Sequence, residues 1–159
     1  MPIQEDFKSI CNFSILPRKT NLMENLVERK DGLFSRLALL YSSNPESFNK
    51  LRAKIRSWLK EEQSEAIFAL AGYIYYICED FKKAKEYFLK AVSLNPDNLD
   101  NWMDLAFALR HNGEYELSRG ILFNYDHIIY YYKYLGLKGC KYSKLKNLVL
   151  EIIKHTRGD

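Results

Sequence analysis

EAIFALAGYIYYICEDFKKAKEYFLKAVSLNPD, residues 65–97, and LDNWMDLAFALRHNGEYELSRGILFNY, residues 99–125, are one pattern written twice at an offset of 34 residues. The offset carries Phe68 onto Trp102, Ala71 onto Leu105, Gly72 onto Ala106 and Tyr75 onto Leu109. It also carries Phe81 onto Tyr115, Ala84 onto Ser118 and Phe88 onto Leu122. Large residues fall on large and small on small. A fixed period of this length predicts stacked helical hairpins, each burying its apolar face only against its neighbours.

Punctuation inside the pattern agrees with hairpins. Glu79-Asp80 and Asn112-Gly113 sit where each hairpin must turn. Asn95-Pro96-Asp97 separates one hairpin from the next, because proline cannot extend the preceding helix. Gly72 and Ala106 are small where the two helices of a hairpin approach closely, and Ala84 is the matching small residue on the partner helix.

These residues resemble the tetratricopeptide repeat, whose pattern runs aromatic, Leu-Gly, Tyr, Ala, Phe, Ala and Pro. The first copy matches as Phe68, Ala71-Gly72, Tyr75, Ala84, Phe88, Ala91 and Pro96. The second matches as Trp102, Leu105-Ala106, Leu109, Gly113, Tyr115 and Leu122. It departs at Ser118, which is still small, and at Tyr125, where the family has a small residue, so a change of packing is expected after residue 122. The resemblance implies an all-α, right-handed solenoid of antiparallel helical hairpins with a C-terminal capping helix. It also implies a non-catalytic protein-interaction module, a scaffold or adaptor.

Outward from the repeat, a degenerate hairpin is expected at 31–62. Subtracting 34 from the first copy predicts Phe34, Leu37-Ala38 and Tyr41, and all are present. The second half of that unit leaves the period. There Asn44 and Pro45 open a helix whose stripe is Phe48, Leu51, Ile55, Trp58 and Leu59. Thr20 or Asn21 caps a short helix with Leu22, Leu26 and Val27 on one face. Residues 1–19 show no clear helical period and read as an arm, irregular or packed through Phe7, Ile10, Phe13 and Ile15. The remainder, 20–159, reads as one domain. After the second copy, a helix from Asp126 to about Leu135 ends at Gly136 and Gly139. A last helix then carries Leu145, Leu148, Val149, Ile152 and Ile153 on one face. This pair, 126–157, is expected to cap the open end of the array.

Composition narrows the function classes. With 47% hydrophobic and 28% charged residues in 159, the chain is neither a disordered nor a membrane sequence. Its longest apolar run, Ala66 to Cys78, falls short of the ~20 residues of a membrane span. The first residues lack the apolar core of a secretory signal. Cys11, Cys78 and Cys140 are scattered and form no CxxC, which argues against disulfide or zinc scaffolding and for a reduced, cytoplasmic location.

Catalytic, cofactor and metal motifs are not found. His111, His127 and His155 lack metal-ligand spacing, and there is no P-loop, GxGxxG, nucleophile elbow or HExxH. Cys78 reads as a buried small hydrophobe. Gly136-Leu137-Lys138-Gly139 fits the GxxG loop of KH domains, but the strands of that fold are missing and a helix-ending turn explains it better. Residues 127–159 hold seven Lys or Arg against Glu151 and Asp159. Lys138, Lys141, Lys144 and Lys146, interleaved with Tyr130, Tyr131, Tyr132, Tyr134 and Tyr142, form a candidate polyanion patch. A pI near 8.8 lies below the value of about 9 typical of nucleic-acid domains, so a nucleic-acid partner is disfavoured.

The resemblance also implies a concave groove lined by the first helix of each unit. Its positions fall on Gly32, Ser35, Leu39 and Ser42, then Ala66, Ala69, Tyr73 and Tyr76, then Asp100, Met103, Phe107 and Arg110. The basic carboxylate clamp of the chaperone-binding members is absent, with Ser35, Leu39, Leu70, Asp100 and Asp104 at its places. The candidate site is therefore Tyr73, Tyr76, Asp100, Met103, Asp104, Phe107 and Arg110. It is expected to anchor an apolar segment of a partner protein, with a basic group near the two aspartates. Two alternatives stand beside it: the groove is filled by this chain's own arm or terminal helices, or the chain self-associates end to end.

Overall fold

The computed structural model describes residues 3–11, 33–139 and 141–156, and every regular element among them is an α-helix. In order they are α1 (Ile3–Cys11), α2 (Leu33–Ser43), α3 (Pro45–Glu61), α4 (Glu65–Ile77), α5 (Phe81–Leu94), α6 (Leu99–His111), α7 (Tyr115–Tyr134) and α8 (Tyr142–Thr156). From α4 onward each helix packs most extensively on the next, which is the contact pattern of a helical solenoid.

The boundaries follow from side-chain caps. Asn44, Ser64 and Asp80 accept from the backbone N–H groups of Ser47, Ile67 and Lys83, at 3.2, 3.3 and 3.3 Å. Each satisfies one of the free donors at a helix start. At the ends of α4, α6 and α7 the chain turns through a left-handed residue: Glu79 (φ 61), Gly113 (φ 84) and Gly136 (φ 66). The N–H one residue further on reaches back to Tyr75, Leu109 and Tyr132 at 2.9, 2.9 and 3.0 Å. These are Schellman closures.

The central helix α4 is buried on all sides, from Ala66 through Tyr75. A helix apolar all round belongs inside a stack rather than on its surface. The closeness of α4 and α5 is set at Gly72, where an added Cβ would lie 2.3 Å from Phe88 Cε1. Between α6 and α7, the buried Ser118 hydroxyl donates to the Ala106 carbonyl at 2.7 Å. Its small size and its hydroxyl are both used. Trp102 donates from Nε1 to the Pro96 carbonyl at 2.8 Å and meets Tyr132 edge to face at 5.3 Å.

Of the two readings of the arm, the packed one holds for Phe7 and Ile10: residues 3–11 form a helix, with Phe7 and Cys11 buried and Ile10 against the core. Ile3, Phe7, Ile10 and Cys11 do follow helical spacing, but nine residues are too few to stand out as a period. The helix is fixed by tertiary contacts on α3. Phe7 lies edge to face with Trp58 at 6.2 Å, and Trp58 Nε1 donates to Asp6 at 3.3 Å. Burial also pushes the Cys11 thiol up to about 12. The expectations for Phe13, Ile15, the cap at Thr20 or Asn21, the short helix from Leu22, and Gly32 lie outside the described residues.

The change of packing expected after residue 122 falls at Asn124, whose non-helical backbone (φ −132, ψ 25) divides α7 into two helical segments. The second segment runs to Tyr134, in line with the helix expected from Asp126 to about Leu135.

Helix α8 then packs Leu145, Val149, Ile152 and Ile153 against α7, with Gly120 leaving room for Ile153. Its first residue is pinned by a shared cluster. The Tyr142 hydroxyl donates to Glu114 at 2.5 Å, Lys85 pairs with Glu114 at 3.1 Å, and the Lys85 ammonium sits 4.3 Å from the Tyr142 ring centre. Burial pushes the Glu114 carboxyl up, but hydrogen bonds from Tyr142, Asn112 and Lys85 outweigh it and hold the group below its usual range. Burial and the Glu114 bond together raise the Tyr142 phenol.

Gly72→Ala should lower stability by about 1–3 kcal/mol despite alanine's better helix propensity, because a Cβ 2.3 Å from Phe88 Cε1 forces the ring out of its packed position. An unchanged or higher midpoint in urea unfolding would contradict the close approach. Tyr142→Phe should cost about 1 kcal/mol at pH 7. Glu114 has a depressed folded-state pKa, so this contribution is present above the unfolded carboxylate range and is lost as pH falls through the folded value. The gap between wild type and variant should therefore narrow in urea titrations below about pH 4.

Candidate functional site

Between α2, α4 and α6 lies a cavity of about 260 Å³, floored by Phe88 of α5. Its described lining is Phe34, Tyr73, Tyr76, Phe88, Asp104 and Phe107. The volume suits one or two side chains rather than a drug-sized ligand, which needs roughly 300–1,000 Å³.

Ring packing builds the walls. Phe34 stands edge to face against Tyr73 at 5.6 Å and against Tyr76 at 5.5 Å. Tyr73 in turn meets Phe88 at 5.5 Å. Tyr76 is held from behind by Phe81 at 5.2 Å and by His111 at 5.4 Å, and His111 stacks on Phe81 at 4.9 Å. The Tyr73 hydroxyl donates to Asp104 at 2.8 Å, which ties α4 to α6 across the cavity. Burial pushes the Tyr76 phenol up, the Asp104 carboxylate adds to that shift, and Arg110 opposes it.

Of the residues expected to line a groove, Tyr73, Tyr76, Asp104 and Phe107 come together here. Tyr73 needs correction as a spare groove residue, because only 3% of it is exposed and its ring belongs to the core. Phe107 is the open wall, at 44% exposure. Met103 is half-buried and packs against the core, while Asp100 and Arg110 lie on the exposed surface of α6. On α2, Ser35, Leu39 and Ser42 are exposed.

Sequence reasoning missed Phe34 as a lining residue. The repeat equates it with Phe68 and Trp102, which pack inside the regular units at 8% and 0% exposure. The α2–α3 hairpin departs from the repeat in its second half, and Phe34 meets Tyr73 and Tyr76 of α4 instead. That departure was the available signal.

The basic patch divides in two. Lys138, Lys141, Lys144 and Lys146 are exposed, as are Tyr130, Tyr131 and Tyr134, whose rings pack on one another. Tyr132 and Tyr142 have structural places, against Trp102 and with Glu114. Cys78 is half-buried at the end of α4, not enclosed. Among the described residues, no three His, Cys, Asp or Glu side chains gather to hold a metal ion, and no helix is long and apolar enough to cross a membrane.

Comparison with known proteins matches residues 65–98 to a tetratricopeptide repeat family model, and residues 87–119 to a second such model in a register shifted into α6 and α7. Over 44 residues the chain is 50% identical to an uncharacterized protein of Methanocaldococcus jannaschii, a stretch covering 28% of this chain and 51% of that relative. The aligned part thus spans about half the relative's length. No solved structure matches.

Replacing Tyr73 by Phe removes the link to Asp104 while keeping the ring. It should cost about 1.5–3 kcal/mol, as for a hydrogen bond to a charged group, read as a lower urea midpoint with unchanged helicity. A variant as stable as wild type would show that the link between α4 and α6 contributes nothing.

Proposed function

We propose that this tetratricopeptide repeat protein receives an extended peptide or a helix of a partner protein in the aromatic cavity between α2, α4 and α6. Repeats of this family are in general non-catalytic interaction modules, and their partners are proteins. The observation that carries the finer reading is Phe107. It is a large apolar side chain at 44% exposure on the rim of a cavity already walled by Phe34 and Tyr76. Most of the other apolar residues of α6 are buried, whereas Phe107 stays open at the rim. Aromatic anchors desolvated at the centre of an interface, with surrounding contacts that keep water out, are the usual source of affinity in such contacts. The lining offers ring faces and one carboxylate, a chemistry suited to holding a side chain rather than transforming it.

The test is a peptide library displayed on phage and selected against the whole chain. Selected peptides should bind at micromolar Kd and lose about tenfold or more on Phe107→Ala, the cost of removing one anchor, with circular dichroism unchanged. Peptides that bind the variant as tightly as wild type would place the contact elsewhere and overturn the reading.

A further inference from the structure

Away from the cavity, α3 and α5 present cations that the rest of the described chain does not pair. Arg52, Arg56 and Lys60 follow one another at steps of four along α3 and are exposed. On α5, the exposed Lys83 and Lys90 are held over aromatic rings. The Lys83 ammonium sits 5.1 Å from the Tyr75 ring centre, and that of Lys90 sits 5.6 Å from Phe68 and 5.3 Å from Tyr87. These rings form a ladder, with Tyr87 stacked on Tyr75 at 5.5 Å and on Phe68 at 6.4 Å. A ring carries no net charge, so each lysine is held in place and keeps its full positive charge. Lys54 and Lys85 pair with Asp6 and Glu114, whereas Arg52, Arg56, Lys60, Lys83 and Lys90 make no ion pair among the described residues. The acidic residues of the two helices are Glu46 and Glu61 at the ends of α3 and Glu86 on α5, so the balance stays positive. Arg56 acts across to α5: burial raises the Tyr87 phenol, Tyr75 and Glu86 add to the rise, and Arg56 opposes it. At the end of α4, burial raises the Cys78 thiol, Arg52 opposes that shift and Asp80 adds to it.

We propose that this strip of α3 and α5 is a second docking surface, which takes an acidic segment of a partner protein. Its Asp and Glu side chains face Arg52, Arg56, Lys83 and Lys90. None of these residues lines the aromatic cavity, so the surface stands on its own observations. Arg52 to Lys60 spans two turns of helix, about 12 Å, which matches roughly four residues of extended chain. Guanidinium groups bind carboxylates through two parallel hydrogen bonds, which favours arginine at the centre of such a strip. A single-stranded nucleic acid fits less well, because its affinity draws on bases stacked against open rings. Here Tyr75 and Phe68 are only 2% and 8% exposed, and lysines already lie over the ring faces.

The experiment titrates the whole chain at low salt with three labelled probes, read by fluorescence anisotropy: capped octaglutamate, capped octaglutamine and octauridylate. Octaglutamate should bind about tenfold or more tightly than octaglutamine, and raising the salt to about 0.3 M should weaken it by a similar factor. Arg52→Gln with Arg56→Gln should weaken octaglutamate about three- to tenfold, with circular dichroism unchanged. The matched pair Lys144→Gln with Lys146→Gln, on α8, should change it by less than about twofold. If the α3 pair fails to fold, Lys83→Gln with Lys90→Gln repeats the measurement on α5. Octaglutamine binding as tightly as octaglutamate, or octaglutamate lost on the α8 pair and kept on the α3 pair, would overturn the proposal. Octauridylate binding more tightly than octaglutamate and lost on the α3 pair would make the strip a nucleic-acid surface, and would overturn the acidic segment as its occupant.

Discussion

The Phe88 ring lies against the bare Cα of Gly72, closer than any side chain at that position would permit. This contact sets how near α4 and α5 come, and everything else is placed from it. The same ring meets Tyr73 at 5.5 Å and forms the floor of the cavity. The packing of the hairpin and the local site thus share one side chain. The packing of a hairpin core cannot be loosened without changing the shape of the cavity beside it, because protein interiors are close-packed and transmit small displacements.

From that hairpin the array extends in both directions by different means. Toward the C-terminus, hydrogen bonds as well as apolar burial join the layers. Ser118 bonds Ala106, Trp102 bonds Pro96, and Asn98 bonds Glu65 at 3.1 Å. Each satisfies a polar group near the interior that would otherwise cost about 1–3 kcal/mol. Helix α8 closes that end, with the Lys85–Glu114–Tyr142 cluster fixing where it starts. Toward the N-terminus the regular hairpin gives way to α2 and α3, with α1 laid across α3. That irregularity lets Phe34 meet the tyrosines of α4, so the least regular unit supplies one wall of the cavity.

The repeat hairpins were legible because their requirements are local and periodic. A glycine or alanine at the crossing, a turn and a proline recur at a fixed offset. The cavity was legible only in part. Tyr76 on α4, and Asp104 and Phe107 on α6, could each be assigned to the groove side of its own helix, since a helix has a fixed pitch. Counting cannot say how deeply a face is covered, and Tyr73 on that face proved to be core. Helix α1 was hidden for a related reason: a nine-residue stripe carries little periodic signal, and its order comes from Trp58 and Asp6.

By itself the sequence determined the helical class, the two regular hairpins, their turns and the charge at the C-terminal end. All of these depend on backbone propensity and on spacing along one chain. Only the tertiary structure decided that Phe34 faces α4 and that Tyr73 is buried and bound to Asp104. Those outcomes depend on which helices touch and how closely. That is fixed by side-chain volumes summed over elements distant in sequence, and no single stretch encodes the sum.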